Sequence, residues 1–140
     1  MGNTVPTGAV HHLRLTVTDV ARSQAFYTDV LGFQLIVDLP PGVILSNGSV
    51  LLGLGPSPDP ERAIANDRFD ENRVGLDHLS LSVSSRDELV NAVEEFDELG
   101  ISHGEIKDLG GGFGISVLAF RDPDNIQLEL TAPFAGDQQV

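Results

Sequence analysis

The chain has 140 residues, of which 41% are hydrophobic and 21% charged, enough for one packed domain and unlike collagen, coiled coil or a disordered chain. It contains no cysteine, which excludes disulfides, thiolate metal sites and cysteine nucleophiles. Asp plus Glu number 21 against 8 Lys plus Arg, a formal charge of −13 that repels phosphate backbones and argues against nucleic acid as a partner. No apolar run approaches the ~20 residues of a membrane span. The first eight residues lack the basic and apolar pattern of a secretory signal, so the expected compartment is the cytoplasm.

In chain order, the first element is a strand over His12-Leu13-Arg14-Leu15-Thr16-Val17. Its strict alternation places Leu13, Leu15 and Val17 on one face and His12, Arg14 and Thr16 on the other. Asp19 then offers an N-cap, and Val20, Phe26, Tyr27, Val30 and Leu31 mark a helix that Gly32 ends. Strands are expected at 33–37, 42–45 and 49–54, the last two joined by the turn Ser46-Asn47-Gly48. Residues 56–74 hold Pro56, Pro58 and Pro60 without periodicity and read as a linker.

The same order then returns. His78-Leu79-Ser80-Leu81-Ser82-Val83 repeats the pattern His-Leu-x-Leu-x-Val, and internal repetition of this kind sets the architecture. Ser85-Arg86-Asp87-Glu88 reads as a capping box. Leu89, Ala92, Val93, Phe96 and Leu99 follow at helical spacing, and Gly100 ends that helix. Strands are expected at 102–106, 114–120 and 126–131, with Asp122-Pro123-Asp124-Asn125 as the last turn and the glycine run 110–114 as a mobile hairpin loop. The expected fold is therefore α+β: two tandem βαβββ modules, residues 9–55 and 75–133, whose strands form a curved mixed sheet around a concavity.

Chemistry is expected on the polar strand faces. His12 and His78 hold equivalent places in the two modules, and converging imidazoles with one carboxylate make a three-ligand set for a divalent ion. Glu129 supplies the carboxylate, because Leu128 and Leu130 turn inward and Glu129 turns the other way. Its counterpart in the first module is Gly53, so no fourth protein ligand is offered there and a position stays open for substrate. Arg14, Thr16, Ser80, Ser82 and Gln127 share that face as candidates to orient a polar substrate. His11 has the opposite parity and is expected to pack or cap on the helix side. His103 is expected in a solvated loop.

These residues resemble a known family. The strand with His12, the run Val17-Thr18-Asp19-Val20-Ala21-Arg22-Ser23, Phe26-Tyr27 and Leu31-Gly32-Phe33 resemble the opening of vicinal oxygen chelate proteins. Gly75-Leu76-Asp77-His78 and Phe120-Arg121-Asp122-Pro123-Asp124-Asn125-Ile126-Gln127-Leu128-Glu129 look like that superfamily's later motifs. The superfamily includes glyoxalase I, bleomycin-resistance proteins, extradiol dioxygenases, fosfomycin-resistance enzymes and methylmalonyl-coenzyme A epimerase. The resemblance implies paired βαβββ modules, a homodimer and a divalent ion (iron, manganese, zinc, nickel or cobalt) on His12, His78 and Glu129. It further implies that the ion binds two adjacent oxygens of a small-molecule substrate in a lyase, isomerase or ring-opening dioxygenase, with Glu129 doubling as a base. The chain departs from glyoxalase I at Gly53, where that enzyme has a carboxylate. It departs from extradiol dioxygenases at Gly110-Gly111-Gly112 and Ala119-Phe120, where they carry a histidine and a tyrosine. The alternative implied is a bleomycin-type resistance protein that sequesters a cationic antibiotic.

Overall fold

A computed structural model describes residues 2–110 and 114–133. The greater part of the glycine-rich loop expected at 110–114 lies outside the described residues. The chain forms two compact units, Met1–Ala65 and Asn66–Val140, and each is built on the same plan.

In the first unit, β1 (His12–Thr16) leads to α1 (Val20–Asp29), then β2 (Gln34–Leu39), β3 (Gly42–Ser46) and β4 (Leu51–Gly55). The sheet order is β1-β4-β3-β2. β1 runs parallel to β4, and the other pairs are antiparallel. α1 begins as the sequence requires, with the Asp19 carboxylate accepting the Arg22 amide at 3.1 Å. It ends at Asp29 with Val30 as C-cap, two residues before the expected stop at Gly32, whose φ of +75° a side chain would resist. α1 packs on β3 and β4, where Tyr27, Leu45, Leu52 and Leu54 are buried.

In the second unit, β5 (Leu79–Ser82), α2 (Arg86–Leu99), β6 (Lys107–Leu109), β7 (Ile115–Arg121) and β8 (Gln127–Pro133) repeat the order, and the sheet runs β5-β8-β7-β6. α2 packs on β7 and β8, burying Leu89, Phe96, Phe120 and Leu128, with the rings of Phe96 and Phe120 stacked at 4.6 Å. The fold is α+β, as expected, with two βαβββ modules. Hydrogen bonding divides the strands into two four-stranded mixed sheets, one to a module.

The ladders align the modules residue by residue. β1 pairs Arg14 with Gly53 and Thr16 with Gly55, while β5 pairs Ser80 with Glu129 and Ser82 with Thr131. One residue beyond each ladder, the Val17 amide donates to Gly55 O at 2.8 Å and the Val83 amide to Thr131 O at 2.9 Å. Both hairpin turns close on a side-chain carbonyl or carboxylate. Asn47 Oδ1 accepts the Ser49 and Val50 amides, and Asp122 Oδ1 accepts the Asp124 and Ile126 amides.

Three local expectations change. The strand expected at 102–106 forms at Lys107–Leu109 instead, and only His103 bridges β7, opposite Phe120. The bridge pairs 103 with 120 and the strand pairs 107 with 117, so four residues on one side oppose three on the other and the intervening ladder breaks. Ser85 stands at the N-cap of α2, but its hydroxyl makes no capping bond. Within the expected linker, Pro60–Arg62 forms one 3-10 turn started by the Asp59 carboxylate.

Candidate metal and substrate site

Leu128 and Leu130 are buried on the side of β8 where α2 packs, so alternation turns Gln127, Glu129 and Thr131 to the opposite face. There the second unit brings two of the three expected ligands together. His78 Nε2 lies 3.6 Å from Glu129 Oε1. That is beyond hydrogen-bond range. Two ligand atoms bonded to one ion at about 2.1 Å, with angles of roughly 90–110°, stand roughly 3.0–3.4 Å apart.

The other ring nitrogen is occupied. His78 Nδ1 lies 2.7 Å from Asp77 Oδ1. A carboxylate only accepts, so Nδ1 donates to Asp77, and Nε2 is the ring nitrogen that faces Glu129. Asp77 is itself held by Gln127, whose Nε2 donates to the Asp77 carboxylate and to its backbone carbonyl, each at 3.0 Å. Glu129 Oε1 accepts from Thr131 Oγ1 at 3.3 Å, and Thr131 shares a second hydrogen bond with Ser80. The pair is half-sheltered, with 39% of the His78 side chain and 20% of Glu129 exposed.

Two positioning residues, Asp77 and Thr131, do not emerge from sequence alone. Asp77 precedes the alternating run, where strand parity carries no information. The repeat offers a clue to Thr131, which shares the parity of Glu129.

His12, Arg14 and Thr16 are all exposed on the face of β1 opposite the buried Leu15. His12 lies in the first unit, with its Nδ1 2.9 Å from Nδ1 of His11 and the two rings edge to face. His11 is therefore not packed on the helix side as expected. Residue 11 is exposed and precedes β1, so no helix covers it. Among the described residues, no cluster of three or more His, Cys, Asp or Glu side chains is gathered as a metal site.

His103, expected to be solvated, is engaged on both ring nitrogens. Nε2 lies 2.6 Å from Asp97 Oδ1 and Nδ1 lies 2.7 Å from the Gly104 carbonyl oxygen. Hydrogen bonds from the ring to the Asp97 carboxylate and then to the Gly104 carbonyl favour the doubly protonated form and raise its pKa. The reason is topological: after Gly100 the chain turns back along β7, which sets His103 beside the last turn of α2.

The uncharacterized protein YwkD of Bacillus subtilis (strain 168) is 35% identical over 129 residues, covering 87% of this chain and 94% of that protein. A crystal structure of a glyoxylase/bleomycin resistance protein/dioxygenase domain from Frankia sp. EAN1pec is similar with a TM-score of 0.75 at 30% identity, covering 95% of this chain and 97% of that one. A crystal structure of lactoylglutathione lyase from Agrobacterium tumefaciens is similar with a TM-score of 0.70 at 25% identity, covering 91% and 96%. The family model for the Glyoxalase/Bleomycin resistance protein/Dioxygenase superfamily matches residues 9–130. With paired βαβββ modules and that match over most of its length, this chain belongs to the Glyoxalase/Bleomycin resistance protein/Dioxygenase superfamily.

Proposed function

We propose that the chain is a metal-dependent enzyme of the glyoxalase and dioxygenase type, acting on a small molecule through two adjacent oxygens as a lyase, isomerase or ring-opening dioxygenase. The observation that carries this reading is that His78 Nε2 faces Glu129 while Nδ1 is held by Asp77. The donor set of imidazole and carboxylate suits iron, manganese, nickel, cobalt or zinc, and members of the superfamily are generally metal-dependent. His12 is the proposed third ligand, from the same chain or from a second copy in a homodimer. When bound, the ion supplies Lewis-acid stabilisation of a developing oxyanion. Glu129 is the candidate base at its own carboxylate oxygen. Arg14, Thr16, Ser80 and Gln127 orient the substrate, Gln127 by also holding Asp77 in place.

Metal analysis of the purified protein tests this. The wild type should carry close to one ion per chain, and His78→Ala almost none. Asp77→Ala should weaken metal affinity by roughly 10–100-fold, the usual cost of losing such a hydrogen-bonded partner. Equal emptiness of wild type and His78→Ala would refute the metal reading. The charge of −13 favours one other reading, capture of a cationic glycopeptide antibiotic without a metal. Tight, salt-sensitive binding of such an antibiotic by metal-free protein would favour it.

A further inference from the structure

Arg14 is a cation of this acidic chain that is anchored without a carboxylate. Arg73, Arg86 and Arg121 are each paired with a carboxylate, on Asp67, Asp108 and Glu71. No carboxylate pairs with Arg14 among the described residues, although acids outnumber bases 21 to 8. The side chain is nonetheless held. Nη2 donates to the Pro56 carbonyl oxygen at 3.0 Å, and Nη1 to Thr16 Oγ1 at 3.2 Å. Both acceptors are neutral, so the charge is anchored without being neutralised. Two of its five N–H donors are used in these bonds, which leaves three.

Strand β4 carries glycines at the two positions beside this side chain. A Cβ on Gly53 would touch Arg14 Cγ at 3.5 Å, and a Cβ on Gly55 would collide with Nη2 and lie 3.1 Å from Cζ. The matching positions of the second module are Glu129 and Thr131. The place of a carboxylate and its hydroxyl brace is therefore taken, in the first module, by two glycines under a guanidinium. Arg14 lies on the same strand face as His12, about 7 Å along.

We propose that Arg14 anchors an oxyanion subsite, taking a carboxylate or phosphate group of the small molecule that the protein binds. A planar guanidinium matches such a group with two parallel charge-assisted bonds. An anion there meets no competing carboxylate on Arg14, and His12 shares the strand face. The subsite rests on the reading that this strand face receives the substrate, but it needs no bound metal.

The test uses metal-free, full-length protein titrated separately with acetate and with inorganic phosphate at constant ionic strength, followed by nitrogen and amide-proton NMR. The Arg14 Nε–H and the amides of Thr16 and Gly55 should shift saturably with at least one of the two anions. The dissociation constant should be on the order of millimolar, as a single bidentate contact allows. Saturation by acetate alone assigns a carboxylate, by phosphate alone a phosphate, and by both an oxyanion site of shared chemistry. Arg14→Gln should weaken binding by roughly tenfold or more. Gly55→Ala keeps the charge but displaces the guanidinium, and should weaken binding by a few-fold, with thermal unfolding showing that each variant is folded. Absence of saturable shifts with both anions, or the same affinity in Arg14→Gln, overturns the proposal. Failure of metal uptake would leave this titration unaffected, so the two readings fail separately.

Discussion

The two modules share a backbone plan and differ in what their polar faces carry. In the second, Glu129 is braced by Thr131, and His78 by Asp77 and Gln127. In the first, the positions of Glu129 and Thr131 are Gly53 and Gly55, and Arg14 lies over them. The inward faces have scarcely diverged: Leu52 and Leu54 match Leu128 and Leu130. Burial constrains volume and polarity on one face of a strand, while the other face is free to change its chemistry. One duplicated frame thus presents a histidine beside a carboxylate in one module and a guanidinium over glycines in the other.

The largest expected effect tests the sameness of the cores. Leu52 and Leu128 occupy matching places and are both fully buried. Leu52→Ala and Leu128→Ala should each cost about 2–5 kcal/mol, the usual range for a buried leucine. Denaturant unfolding monitored in both modules checks this, and a negligible cost in one of them would break the equivalence.

A second prediction concerns an ion pair in the second unit. Arg121 on β7 holds Glu71 through two bonds of 2.8 Å each, tying the segment before β5 to the β7–β8 turn. Hydrogen bonding to Arg121, followed by bonding to its own backbone, lowers the Glu71 carboxyl from its ordinary 4.5 to about 2. A depressed carboxyl stabilises the fold above its unfolded value, and that contribution is lost as pH falls through its folded value. Between pH 4.5 and about 2, the wild type should lose more thermal stability than Glu71→Gln. Parallel pH profiles would show that the pair contributes nothing.

The smallest effect separates the two helix starts. The Asp19 carboxylate caps α1, whereas the Ser85 hydroxyl makes no capping bond on α2. Asp19→Ala should cost about 1 kcal/mol, and Ser85→Ala only a few tenths. Equal costs in thermal unfolding would mean that the side-chain cap on α1 is not what distinguishes them.

Alternation at Leu13-Arg14-Leu15 and Leu79-Ser80-Leu81 made the strands and their faces legible without coordinates. Gly100 did the same for the end of α2, because a left-handed residue is a local requirement. His78 and Glu129 were legible as a pair through the repeat and through parity. Asp77 was not, since its contact with His78 and with Gln127, fifty positions away, depends on how β5 and β8 are paired. His103 was misread for a similar reason, because its partner Asp97 belongs to the preceding helix.

What the amino-acid order determined by itself is local: where the chain alternates, where it caps and turns, and that it does so twice. Those features depend on neighbours a few residues apart, whose geometry is set by backbone sterics. The tertiary structure decided the parallel register that sets Ser80 beside Glu129 and Arg14 beside Gly53. It also decided the contact of His78 with Asp77 and the shift of β6 to Lys107–Leu109. These depend on contacts between distant segments, which form only when both sheets bury their leucines against the helices, and no local pattern encodes them.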